Sequence, residues 1–386
     1  MDIDLPHEDD PRRLAVRRWL EEHPNPTPGD LVDAGFVVPH WPLPWGLDAE
    51  PELQLIIDDE LKRAAVTKPM NPIGIGHCGP VLVVHGSEEQ KQRYLPPMLR
   101  GEELWCQLFS EPEAGSDLAS LSTRAGRDGD VFVVNGQKIW TSLAQVAKFG
   151  ILIARTDPDT SKYTGISYFI VPMDLPGIEV RPLRNMVGGF GDAGFCEVFF
   201  TDVEVPAANL IGELDNGWSM AKLTLANERV SLSKEGLQWG YGPTARDLVA
   251  LVRDAGGTAD PLVRQALARA YIDGEILRFH QLRQISAAVN KTPGPDASLR
   301  KALKDPHGQR VFRLGLDLMG APGMLDVDAT DPAWKAWVSG FLFSPALTVG
   351  GGTSEVLRNI VAERLLGLPH DVDVDAGLTW AESRRR

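Results

Sequence analysis

At 386 residues, with 43% apolar and 24% charged residues, the chain has the composition of a globular protein long enough to bury more than one core. Its net charge of −14 argues against duplex nucleic acid or an anionic membrane surface as the main partner, while leaving room for an anionic small molecule at a locally basic site. Cys78, Cys106 and Cys196 form no CxxC pair and read as buried, reduced thiols of a cytosolic protein.

The opening "MDIDLPHEDDPRRL" is acidic, then basic, with no apolar signal core, so a cytoplasmic location is expected. From Pro11 to about Leu104 the pattern is helical, interrupted by Pro-rich stretches such as "VVPHWPLPWG". "GSEEQKQRYLPPMLRGE" predicts a helix with Ser87 as its N-cap and acidic residues in its first turn. Residues 69–87 and 336–354 carry no charge, but Pro and Gly break both, and the first contains His77 and His85; neither reads as membrane-spanning.

Between Trp105 and Leu210 the texture changes to strands. "GDVFVVNGQKIWTS" places hairpin signals at Asp128-Gly129 and Asn135-Gly136, and "GISYFIVPMDLPGIEVRPL" predicts a turn at Pro176-Gly177. After Asn216-Gly217 come three long helical patterns: "WSMAKLTLANERVSLSKEGL", "DPLVRQALARAYIDGEILRFHQLRQISAAV" and "PDASLRKALKDPHGQRVFRLGLDLMG". The closing "RRR" reads as a solvated tail. Helices, strands, then helices predict a helical array around a small β domain, divided as 1–104, 105–210 and 211–386.

"TVGGGTSEVLRNIVAERLLGLP", from Thr348, is a glycine run opening a helix that stops at Gly367 and Pro369. Such a run brings backbone N–H groups close to a polar or anionic ligand, and without a following Lys it is not a P-loop. Taken alone, the motifs have plainer readings. "FSEPEAGSD" would be a surface turn, Trp140 a core residue, and Glu228 beside Arg229 a solvated helix face. Pattern alone stops at a multi-domain soluble protein with a possible anion site.

Together, "QLFSEPEAGSDLASLSTRA", "NGQKIWTS", "FFTDVEVPAANLIGE", "TLANER" and "GGTSEVLRNIVAERLLG" stand in the order and spacing of acyl-CoA dehydrogenases. The chain resembles that family from about residue 30 to 368. The resemblance implies a mainly α fold with a central β domain: an N-terminal helical domain, a β barrel and a C-terminal four-helix bundle, with FAD bound. It further implies that Gln107, Phe109 and Ser110 line the isoalloxazine ring. Ser116 would bond a cofactor or CoA phosphate, Trp140 cover one flavin edge, and Ser142 bond near N5. The Gly351 N–H would bond the thioester carbonyl, and Thr353 to Glu355 contact FAD.

Three departures qualify the match. Many relatives place the catalytic glutamate where this chain has Gly351; another branch, of isovaleryl- and long-chain type, carries it on a C-terminal-domain helix, where this chain has Glu228. The family's Arg-x-x-Phe-Gly segment is shortened here to "LVRDAGGTADP", with Arg253 as the remnant. In the adenine-side stretch that also contains Gly320, Asp317 replaces a Gln.

The implied reaction is α,β-dehydrogenation of an acyl-CoA, with Glu228 taking the α proton and an electron-transfer flavoprotein receiving the electrons, as in β-oxidation. A homodimer or homotetramer is expected, an α2β2 assembly with a paralogous chain being the alternative. Competing readings are a flavin-dependent monooxygenase or oxidase, and a non-catalytic subunit. Residues 70–79 and 218–232 are expected to line the acyl pocket, but the acyl group itself is not legible.

Overall fold

A computed structural model describes residues 6–187, 194–232, 236–289, 296–326, 328 and 330–385. The chain forms two compact units. One holds the chain up to Arg184, the segment ending at Asn227 and the residues from Asp373 onward; the other is built on Glu228–Val372.

The first unit begins with α1 (Pro11–Glu22), α2 (Pro28–Asp33) and α3 (Pro51–Arg63), each opened by a proline whose missing N–H costs nothing at a helix start. A π-helical turn (Gly74–Cys78) runs into α4 (Gly79–His85), so the first uncharged stretch is folded into short helical pieces. In α5 (Glu88–Arg100) Ser87 is the N-cap that the sequence predicts, in a reciprocal capping box with Gln90, and Gly101 ends the helix at φ +72°. Among the described residues no helix is long and apolar enough to cross a membrane.

Among the described residues eight strands follow: β1 (Trp105–Leu108), β2 (Arg124–Asp128), β3 (Val131–Ser142), β4 (Phe149–Arg155), β5 (Ile166–Pro172), β6 (Ile178–Pro182), β7 (Phe195–Pro206) and β8 (Leu210–Ile211). They make one mixed sheet in the order β6-β7-β3-β2-β4-β5-β8, with β1 parallel to β4. The Asp128-Gly129 signal is the β2–β3 turn, and Gly177, at φ +88°, turns the chain into β6. Asn135-Gly136 is not a turn: β3 runs through it, with a register irregularity against β7. A Cβ at Gly136 would lie 2.4 Å from Thr123 Oγ1, so this glycine serves close strand approach, which a dipeptide cannot distinguish from a turn.

Alternating residues of β4 and β5 face opposite ways, as a pleated strand requires. Ile151, Ile153, Tyr168 and Ile170 join Ile56, Leu82, Leu95 and Met98 in one core, so the N-terminal helices and the sheet share it. Leu152, Ala154, Phe169 and Val171 face a second core with Phe132 and Val198. All three cysteines are free and buried, as the sequence reading has them, and burial raises each thiol's pKa.

The closing arginines are not simply solvated. After α12 (Trp380–Ser383), Arg384 pairs with Glu113 at 3.0 Å. The Trp380 ring stacks over Arg155, and Asp375 accepts from Lys162 at 2.8 Å. Partners hundreds of residues away are invisible to local charge patterning.

The second unit takes the end of α6 (Gly217–Leu232), then α7 (Ala245–Asp254), α8 (Pro261–Val289), α9 (Asp296–Met319), α10 (Pro332–Phe343) and α11 (Ser354–Arg364). Leu248, Leu267, Phe312, Trp337 and Leu357 are buried in it. The helical pattern predicted through Leu237 stops earlier. Residues 233–235 lie outside those described, and Gly236, at φ +95°, opens a tight loop in which Leu237 N–H donates to Pro243 O.

Candidate active site

In the first unit the segment after β1 is shaped by a buried ion pair. Glu111 accepts from Ser122 N at 2.6 Å, Thr123 N at 2.9 Å and Lys138 Nζ at 2.8 Å. Lys138 also donates to Phe109 O at 3.0 Å. Burial opposes the Glu111 charge, but Lys138 and the two N–H groups outweigh it and hold the carboxyl below its usual range. Burial lowers the Lys138 pKa despite Glu111, so the ammonium is less favourable here than in water. Arg155, whose guanidinium donates to Ala119 O at 2.6 Å, is likewise pushed down to about 10 by burial.

This scaffold carries several of the predicted site residues. Gln107 is half-buried on β1, and its Oε1 lies 2.9 Å from Nδ1 of His77 in the π-helical turn. Phe109 is buried edge-on to Tyr168, Ser110 is half-buried, and its carbonyl accepts from Ile139 N at 2.9 Å. Ser116 stands exposed in the loop between Ala114 and Leu118.

Trp140 is 59% exposed and sits at φ +61°, a conformation that costs a non-glycine residue about 1 kcal/mol or more. It lies within a register shift between β3 and β7 spanning Lys138 to Thr141, a bulge that turns the indole outward. Phe195 braces the ring edge-on at 5.9 Å. Thr141 is buried, and its Oγ1 has no partner among the described residues; Ser142 beside it is half-buried. The plain reading of Trp140 as a core residue therefore fails: its ring is presented to the surface.

In the second unit the glycine run is a turn. A 3-10 segment (Ser344–Thr348) leads to Val349 and Gly350, then Gly351 at φ +67° and Gly352 at φ +100°. Only glycine adopts two such angles in succession without strain. Thr353 caps α11, its Oγ1 accepting from Val356 N at 3.2 Å, while Ser354 is buried and Glu355 is exposed on the first turn. The Thr353 hydroxyl is thus already engaged as a cap.

Glu228 is half-buried on α6. Its neighbour Arg229 has its pKa lowered by burial, a shift that Glu228 opposes and Arg364, the last residue of α11, reinforces. Glu228 is thus neither buried nor fully solvated, and its neighbour Arg229 is a cation that the electrostatics tie to it. Asp317, largely exposed, accepts from Arg313 Nε at 3.1 Å and helps to line a shallow cavity of about 410 Å³ with Gln309, Arg310 and Arg313. Gly320 follows α9 at φ +62° with open space around it.

Sequence reasoning missed Glu111, Lys138 and His77. A lysine or glutamate is normally a surface residue, and no local signal marks these two as buried. The π-helical turn, a geometry often found at functional sites, likewise has no sequence signature here.

Acyl-CoA dehydrogenase domain models match the chain in series: the N-terminal domain at residues 10–102, the middle domain at 106–203 and the C-terminal domain at 215–366. Acyl-CoA dehydrogenase FadE34 of Mycobacterium tuberculosis is 40% identical over 340 residues, covering 88% of this chain but only 45% of that protein. The chain thus spans less than half of FadE34. Acyl-CoA dehydrogenase IpdE1 of the same organism is 38% identical over 313 residues, 81% of this chain and 79% of that one. Among solved structures, the Tcur3481-Tcur3483 steroid ACAD aligns with a TM-score of 0.78 at 31% identity, covering 96% of this chain and 100% of that chain. The ChsE4-ChsE5 complex from Mycobacterium tuberculosis aligns at 0.75 and 30% identity, with the same coverage. The motifs, the order of elements and these likenesses agree: the chain belongs to the acyl-CoA dehydrogenase family of oxidoreductases.

Proposed function

We propose that the chain dehydrogenates an acyl-CoA thioester to a trans-2-enoyl-CoA with FAD as its cofactor. The observation that carries this reading is a glycine at 351, at φ +67° and with no side chain to take a proton, in a chain that keeps a half-buried Glu228 on α6. The base has moved off the glycine loop, and the loop keeps only its backbone donor.

The residues fit a flavin. Trp140 offers an aromatic face held outward on strained backbone, and Thr141 beside it has a buried hydroxyl with no partner among the described residues. Ser142, Gln107 and Ser110 add polar groups suited to the heteroatom edge of the ring, and Ser116 to a phosphate. Thr353, Glu355, Asp317 and Gly320 belong to the same cofactor reading. When bound, the flavin supplies the two-electron oxidant that takes the β hydrogen with its electron pair.

The chain's own work is the proton and the charge. Glu228 accepts the α proton as the α–β double bond forms, and the Gly351 N–H stabilises the negative charge that develops on the thioester oxygen. An electron-transfer flavoprotein would be the partner that accepts the two electrons. The two solved structures named for paired chains support an assembly with a paralogous subunit over a homo-oligomer, and the steroid ACAD supports a polycyclic acyl group.

Anaerobic mixing of the flavin-loaded protein with butyryl-CoA, octanoyl-CoA, isovaleryl-CoA and a steroid carboxylic acid CoA thioester tests the reading, alone and with a co-expressed paralogue. Flavin bleaching with one equivalent of enoyl-CoA is expected, fastest with the steroid thioester. No bleaching with any of the four, in either preparation, refutes it.

A further inference from the structure

One face of α9 supports the glycine loop with chemistry that the dehydrogenation reading leaves unused. Lys301 is wholly buried, and its Nζ donates to Leu347 O at 3.2 Å and to Gly352 O at 3.4 Å, two carbonyls that bracket Gly350 and Gly351. One helical turn on, Asp305 Oδ2 lies 2.5 Å from the same ammonium. Further along the same face a Cβ on Gly308 would lie 3.0 Å from Leu347 Cδ1, so the helix meets the loop closely there. Gln309 Nε2 then donates to Ser344 O at 3.1 Å and to Thr348 Oγ1 at 3.2 Å. Positions 301, 305, 308 and 309 share one helical face. Gly350, for its part, is pressed against Trp239: a Cβ there would lie 2.6 Å from the indole Cζ2.

A buried ammonium is costly unless it is paired and hydrogen-bonded. Lys301 is both, and two of its partners are main-chain oxygens of the loop itself. Peptide groups are planar, so holding a carbonyl also holds the plane of the amide joined to it. Between the two held carbonyls lie glycines, which have the widest conformational freedom of any residue and no side chain to restrain them. The ion pair with Asp305 keeps the ammonium from turning away from both oxygens.

We propose that Lys301 is a positioning residue for the Gly351 N–H: it ties both ends of the glycine loop to α9, so that this donor stays aimed at the substrate oxygen. The proposal rests on the dehydrogenation reading for the role of that donor. Losing one preorganised donor outright slows such reactions about 100- to 1,000-fold. Loosening rather than deleting it is therefore expected to slow flavin reduction by roughly 10- to 100-fold.

The test is K301M/D305L, which removes both charges so that neither remains buried alone. Hydrogen exchange of the peptide covering 346–354, thermal unfolding, and anaerobic flavin reduction with acyl-CoA affinity are measured together. We expect loop amides to exchange at least about tenfold faster while α8 amides and the unfolding midpoint hold, and we expect the reduction rate to fall with affinity changed less than about threefold. Unchanged loop exchange in the folded variant overturns the proposal, as does a loss confined to affinity. If the double variant does not fold, K301R takes its place: it keeps the charge, but its longer, planar guanidinium moves the donors away from the wholly buried ammonium's position, and the same faster loop exchange is required of it. If the wild type reduces its flavin with no thioester, the dehydrogenation reading fails, whereas loop exchange still decides whether Lys301 holds the loop.

Discussion

Lys138 Nζ, with no exposed surface, lies 2.8 Å from Glu111 Oε1 and ties the middle of β3 to the loop that follows β1. Both flanks of the proposed flavin face depend on this pair: Phe109 and Ser110 precede Glu111, and Trp140 and Ser142 follow Lys138. Lys138→Met leaves the Glu111 carboxylate buried without its cation and is expected to destabilise the fold by about 3–5 kcal/mol. Because Glu111 is held below its usual pKa, its contribution is present above the ordinary carboxylate range and is lost as pH falls through the folded-state value. The gap between wild type and variant should therefore narrow on acidification. Urea unfolding at neutral and acidic pH checks it; a gap that is absent at neutral pH, or widens in acid, contradicts the assignment.

Glu228→Gln keeps the size and hydrogen bonding of the proposed base but removes its proton affinity. Flavin reduction by acyl-CoA should slow about 100- to 10,000-fold, with FAD content and ligand affinity little changed. Anaerobic stopped-flow absorbance is the measurement. A variant that reduces its flavin near the wild-type rate removes Glu228 from the mechanism.

Trp140→Ala should separate cofactor binding from folding. The ring is 59% exposed, so its loss should leave the unfolding midpoint almost unchanged. Loss of an aromatic contact of ~0.5–1.5 kcal/mol should weaken FAD binding roughly 2- to 10-fold. Fluorescence titration with FAD beside a thermal melt decides the matter, and unaltered FAD affinity would place the ring outside the cofactor site.

His307, on α9, is 2% exposed, and its Nδ1 has no partner among the described residues. Burial pushes its pKa down to about 4, with Asp273 opposing the shift and Arg310 and Lys304 adding to it. Since the folded-state value is depressed, the unfolded chain takes up the proton first as pH falls. Stability present at neutral pH is then lost between the ordinary imidazole range and about 4. Wild type should lose about 2 kcal/mol more than His307→Leu between pH 7 and pH 5. Parallel stability curves for the two proteins would rule this out.

Much of the molecule was legible because the interactions concerned are local. Ser87 with Gln90 and Thr353 with Val356 each close over three residues, so helix starts can be read directly from the chain. Gly129 and Gly177 announce their turns in the same way, and the spaced motifs name Glu228, Trp140 and Gly351 as candidates. Gly136 misleads because its constraint comes from Thr123, just before the neighbouring strand β2 and outside the dipeptide that suggests a hairpin.

By itself, then, the sequence determined the succession of helices, strands and helices, the family, and the residue types available for proton transfer and flavin contact. Only the tertiary structure decided which charges are buried and what they hold. Glu111 meets Lys138, Lys301 reaches Leu347 and Gly352, and Arg384 returns to Glu113, each across a long stretch of chain. Lysine, arginine and glutamate look alike in sequence whether solvated or buried. The difference is a desolvation cost, and whether it is met depends on which distant groups folding brings within hydrogen-bond reach.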